Sequence, residues 1–117
     1  MKIGLLWPDS RLNPNRKTHW GTRARLNNDA KGWAILSVKA ITLEQLDRSK
    51  KYRVSYLFYP PDKHMRDLDN IEAACKSTFD GVAQALGIDD SQIKLVDKQW
   101  GNVIKGGMVI YEIEKMG

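Results

Sequence analysis

The chain has 117 residues, 42% of them hydrophobic, with a single cysteine and a formal net charge of +5. That suffices for one compact domain with its own core and not for a second independent one. A lone Cys75 excludes an internal disulfide, and no apolar stretch reaches the roughly 20 residues that a membrane-spanning helix needs. The opening Met1 to Trp7 meets Pro8 too early for a signal peptide, so the sequence predicts a soluble, intracellular protein. Residues 1–66 carry 14 Lys and Arg against 5 Asp and Glu, whereas residues 67–117 carry 5 against 9. A basic half that can neutralise phosphates and an acidic half that can hold a cation suit a nucleic-acid partner. A solvated basic surface without a role gives the same balance.

Residues 2–7 read as a first strand closed by Pro8. Residues 9–28 are polar and turn-rich, with Arg11, Asn13, Asn15, Arg16, Lys17, His19, Trp20, Arg23 and Arg25, and read as a long loop. Its guanidinium, amide and aromatic groups suit phosphate and base contacts, with a merely basic surface loop as the rival. Trp20 is placed either to stack on an exposed base or to pack on the surface. A first helix is predicted to start at Asn28 or Asp29 and run to about Ile41, with a further turn around Leu43 to Leu46. In residues 51–59 alternation puts Tyr52, Val54, Tyr56 and Phe58 on one strand face and Arg53, Ser55, Leu57 and Tyr59 on the other.

After Pro60-Pro61 comes a charged connection containing His64, a general base or phosphate contact in one reading and an ordinary loop histidine in the other. It delivers the chain to Arg66-Asp67-Leu68-Asp69-Asn70. If this segment is extended, Asp67 and Asp69 share a face and can aim their oxygens at one hard cation. Mg²⁺ usually takes only one or two protein carboxylates, with water and substrate phosphates completing its shell. Asp69 is equally a good helix N-cap, with Glu72 three residues later completing a capping-box pattern. Ile71, Ala74, Cys75, Thr78, Phe79, Val82, Ala83 and Leu86 then form the apolar stripe of one helix, Cys75 serving as a small buried hydrophobe and Gly87 as the cap. At about 100° per residue Asp69, Lys76 and Asp80 fall on its opposite side, Lys76 about 10 Å beyond Asp69. Asp89-Asp90 is turn chemistry or supplies a third carboxylate. Residues 93–100 and 108–113 read as an antiparallel strand pair around Lys105-Gly106-Gly107. The predicted fold is α+β: a small mixed, partly antiparallel sheet of three or four strands with two main helices packed on it.

The order Trp7-Pro8, a basic loop with Asn13, Arg66-Asp67-Leu68-Asp69-Asn70, a helix with Lys76 and Phe79-Asp80-Gly81, and then Gly87-Ile88-Asp89-Asp90-Ser91-Gln92 resembles the RusA family of Holliday junction resolvases of bacteriophages and prophages. The match spans most of the chain, residues 1–117 then forming a single RusA-like endonuclease domain. The resemblance implies a homodimeric endonuclease that resolves four-way DNA junctions by paired nicks, with Mg²⁺, or Mn²⁺ in its place, as cofactor. It implies Asp67, Asp69 and Asp90 as metal ligands and Lys76 as a catalytic cation, provided one extra helical turn separates Lys76 from the acid pair. Arg66 matches a basic position. Arg11, Asn13, Arg16, Lys17, Arg23, Arg25 and Arg66 are the candidate DNA contacts, and the bacterial host cytoplasm is the implied location. A non-catalytic junction-binding protein and a flap or single-strand nuclease are the rivals. A calcium-binding module is a weaker third rival, because the acidic run lacks the EF-hand loop's glycine at position six and glutamate at position twelve.

Overall fold

The computed structural model describes residues 1–117. Along the chain come β1 (Lys2–Leu5), a 3₁₀ turn (Ser10–Leu12), α1 (Trp20–Ile41), β2 (Tyr52–Tyr59), α2 (Leu68–Ala74), α3 (Lys76–Leu86), a second 3₁₀ turn (Asp90–Gln92), β3 (Ile93–Trp100) and β4 (Met108–Lys115). The fold is α+β with one mixed four-stranded sheet, ordered β1-β4-β2-β3. Its contacts sort into a sheet unit of Met1–Trp7, Leu46–Met65 and Gly87–Gly117, and a helical unit of Pro8–Gln45 and Arg66–Leu86.

In the sheet unit β2 is central. It pairs antiparallel with β4 from Tyr52↔Lys115 to Tyr59↔Met108, and parallel with β3 from Tyr52↔Ile93 to Phe58↔Trp100. The predicted antiparallel pairing of residues 93–100 with 108–113 is therefore wrong, since β2 lies between them. Burial explains the order. Tyr52, Val54, Tyr56 and Phe58 of β2 and Val109, Tyr111 and Ile113 of β4 alternate inward as predicted for β2, whereas β3 has no buried position. A strand without a buried face belongs at the edge, where Lys94 and Lys98 and the extra residue Val96, at the register shift beside Val54 and Ser55, discourage further pairing. A parallel β2–β3 pair requires a long crossover, and residues 60–92 supply it.

β1 stops at Leu5, two residues before the predicted end, because Trp7 leaves the ladder to pack its ring. It meets Phe58 edge-on at 6.4 Å and stacks on Trp100 at 6.5 Å. Gly107 makes room for it. Its φ is +73°, and a Cβ there would lie 2.8 Å from the Trp7 Cβ.

In the helical unit α1 begins at Trp20, some eight residues before the predicted start, so Trp20, Arg23 and Arg25 are helical. His19 is the cap (φ −53°, ψ 137°), its Nδ1 accepting the Gly21 N–H at 3.1 Å. Thr42 closes α1, its N–H donating to Val38 O, and no further turn forms around Leu43 to Leu46. The single helix predicted after Asn70 is two, α2 and α3, joined at Cys75. There φ −88° and ψ −3° tighten the backbone, and the Cys75 N–H is shared between Ile71 O and Glu72 O at 3.1 Å each. The ladder resumes with Phe79 N–H to Cys75 O at 2.9 Å. Cys75 is buried, and α3 ends at Gly87, whose φ of +78° suits the predicted cap. α1 packs on α3 with Gly81 against the Lys31 carbonyl and Ala34.

Candidate functional site

The acidic pair sits at the mouth of α2. Asp67 has extended geometry (φ −90°, ψ 128°), and its Oδ1 accepts the backbone N–H groups of Asp69 at 2.8 Å and Asn70 at 3.3 Å. Asp67, and not the predicted Asp69, is thus the N-cap. Leu68 already has helical geometry, which puts Asp69 inside the first turn, where a negative charge is favoured by the helix dipole. The two acids do not alternate along an extended segment as predicted. A capping hydrogen bond joins Asp67 to the Asp69 backbone instead. Both side chains are exposed.

With Oδ1 occupied by the cap, Asp67 still presents Oδ2, and Asp69 presents a second carboxylate one residue into the helix. Two carboxylates match in number what Mg²⁺ commonly takes from a protein. No group of three or more His, Cys, Asp or Glu side chains is arranged to hold a metal ion. Asp90 opens the second 3₁₀ turn of the sheet unit and is exposed. Its neighbour Asp89 serves that turn structurally. The Asp89 N–H donates to Gln92 Oε1 at 3.1 Å, Ser91 Oγ donates to Asp89 Oδ2 at 3.0 Å, and the buried Gln92 amide donates to Asp47 O and Lys50 O.

Lys76 is the first residue of α3, and its Nζ lies 3.8 Å from Asp80 Oδ2. The expected common face of Lys76 and Asp80 is therefore present, while the helical count from Asp69 runs through the break at Cys75. An exposed i,i+4 pair is worth only about 0.3–0.5 kcal/mol, so leaving Asp80 would cost Lys76 little. His64 pairs its Nδ1 with Asp62 Oδ1 at 2.9 Å, well exposed.

The basic residues divide by what they already hold. Arg11 grips Asp9 with two hydrogen bonds, Nε to Oδ1 at 3.0 Å and Nη2 to Oδ2 at 2.8 Å. Arg23 donates to the carbonyls of Leu12, Asn13 and Arg16, fastening the loop to α1, a structural role that loop composition did not reveal. Asn13 Oδ1 accepts the Asn15 N–H, an Asx turn, and Arg16 donates to Ser10 Oγ at 3.2 Å. Lys17 and Arg25 are exposed on the loop and on α1. Leu12 is buried, and its 3₁₀ turn packs against both α1 and α2. The basic loop is thereby held against the helix that begins with the two carboxylates.

Arg11, through the hydrogen bonds of its guanidinium and of its backbone N–H and through its charge, holds the Asp9 carboxyl down at about 2 from an ordinary 3.8. Because the folded value lies below the unfolded one, the stabilisation is complete above about pH 4 and is lost as pH falls through 2. The Asp9 carboxyl carbon should titrate by NMR with a midpoint near 2. A midpoint near 3.8 would mean that the pair does not form in solution.

No protein-family model matches the chain. It is 36% identical over 90 residues to an uncharacterized protein of Xylella fastidiosa (strain Temecula1), an alignment covering 75% of this chain. That alignment covers 59% of the relative, so the chain spans about three-fifths of that protein's length. No helix is long and apolar enough to cross a membrane.

Proposed function

We propose that this chain is a Mg²⁺-dependent endodeoxyribonuclease acting on branched DNA, with the four-way junction as its substrate and a homodimer as its working form. The observation that carries this reading is the packing of the basic 3₁₀ loop on α2, whose entrance bears Asp67 and Asp69. The basic segment that would meet phosphates and the carboxylates that would meet a cation then belong to one unit of the fold, a pairing that suits a phosphodiesterase.

Asp67 and Asp69 hold the cation, Asp67 being oriented by its own capping bonds. When bound, the cation supplies charge neutralisation at a phosphate and acidification of a water molecule. Lys76, released from Asp80, places a mobile positive charge near a phosphate held there. Arg16, Lys17, Arg25 and Arg66 hold flanking phosphates. Each phosphate neutralised contributes about −0.9 to the slope of log K against log salt on duplex DNA. A two-fold dimer presents two identical sites to the two strands that are cut.

The second reading is a DNA-binding protein without catalysis, favoured by the complete capping role of Asp67, which accounts for one acid with no chemistry. Cleavage of a synthetic four-way junction, with linear duplex as control, separates the two. Symmetric nicks that require Mg²⁺ are expected. Tight junction binding with no nicking in Mg²⁺ or Mn²⁺ establishes the second reading in its place.

A further inference from the structure

The indole of Trp20 is 79% exposed, against 41% for Trp33 and 39% for Trp100. The ring is nevertheless supported. His19 lies beside it, ring centroids 5.5 Å apart and planes 31° from parallel. The His19 ring is itself held by the Gly21 N–H donating to Nδ1, and Gly21 admits it closely, a Cβ there standing 3.3 Å from His19 Cε1 and Nδ1. Such a flat aromatic surface, fixed on one side and open on the other, loses little freedom on stacking.

Its surroundings select the occupant. Residues 10–28 contain five Arg and Lys and no Asp or Glu. The one aliphatic side chain before the helix in this segment, Leu12, is buried. A protein partner's core contact would want apolar neighbours and few charges, whereas this segment leading up to the ring carries Arg11, Arg16 and Lys17 and no exposed aliphatic side chain. A nucleobase offers a π face to the indole, while its flanking phosphates meet Arg16 and Lys17, which precede the ring on a loop tied down by Arg23 and by Thr18 Oγ1 donating to Arg11 O at 2.8 Å.

We propose that Trp20, backed by His19, is a stacking platform for an unpaired DNA base, so that the protein reads unstacked nucleotides and not only duplex phosphates. This rests on the DNA-binding part of the proposed function and is independent of cleavage. The site would give the protein a means of selecting branch points, where bases leave the stack, over continuous duplex.

The test is fluorescence anisotropy of the full chain in EDTA at one fixed salt concentration, with labelled dT20 and with a blunt duplex of equal length. Wild type is compared with Trp20→Ala and Trp20→Phe. Trp20→Ala is expected to weaken dT20 binding roughly tenfold while leaving duplex affinity within about twofold, and Trp20→Phe to recover most of the loss. Equal weakening on both probes, or none on dT20, overturns the platform while leaving the nuclease reading intact. Wild-type protein that binds neither probe overturns the platform, and a labelled four-way junction that is also left unbound overturns the proposed function with it. A Trp20→Ala protein that melts several degrees below wild type would show the ring to be a packing element and also overturns the proposal.

Discussion

Asp67→Asn should keep the fold's stability unchanged and slow Mg²⁺-dependent nicking by at least about 10²-fold. Asp67 is the N-cap of α2 through Oδ1, and asparagine caps about as well as aspartate, with the same acceptor oxygen in the same place. What asparagine removes is the charge and the second anionic oxygen that a cation would use. Asp67→Ala, by contrast, loses both functions and should cost about 1 kcal/mol of stability. Asp69→Asn leaves the cap untouched and removes a favourable charge from the first turn, worth about 0.3–1 kcal/mol. Both asparagine variants should nick a four-way junction at least about 10²-fold more slowly, the lower end of what losing one transition-state-stabilising group costs. Nicking rates and melting curves on the same preparations decide the matter. If Asp67→Asn nicks like wild type while Asp67→Ala fails only as far as it is destabilised, the acid is a cap and nothing more.

That experiment turns on a distinction the sequence could not draw. Asp67 and Asp69 are both good caps, and which one serves depends on a one-residue register of the helix start, set by Leu68 entering the helix. The same limit hides the break at Cys75. The apolar stripe from Ile71 to Leu86 continues at spacings of three and four straight through it, so periodicity is blind to a local change in φ and ψ.

Elsewhere legibility followed burial. β2 and β4 were readable because alternating side chains bury one face. The strand order was not, since pairing depends on which strands have a face to bury, and β3 has none. The first turns of α1 were illegible for a different reason. Residues 20–28 lack an aliphatic stripe, and what anchors them is Arg23, whose three bonds to loop carbonyls do the work usually done by hydrophobic contacts. For Trp20 the sequence left two roles open, to which the structure adds that the ring is largely exposed.

Two glycine-to-alanine changes in the helical unit should move stability in opposite directions. Both Gly32 and Gly81 lie inside helices, where alanine is intrinsically better by about 1 kcal/mol. At Gly32 a Cβ would meet nothing within 4 Å, so Gly32→Ala should stabilise by about 0.5–1 kcal/mol. At Gly81 a Cβ would collide with the Lys31 carbonyl oxygen and stand 2.9 Å from the Ala34 Cβ. A backbone carbonyl cannot swing aside as a flexible side chain can, so α1 and α3 must part. Parting two packed helices forfeits dispersion along the contact, and overpacking of this kind costs about 1–3 kcal/mol or more. The steric term exceeds the propensity gain, and a net loss of about 2 kcal/mol should lower the melting temperature by about 8 °C in a domain of this size. Calorimetry on the two variants checks the sign. A Gly81→Ala protein that melts higher, as Gly32→Ala should, would mean that α1 and α3 do not approach so closely.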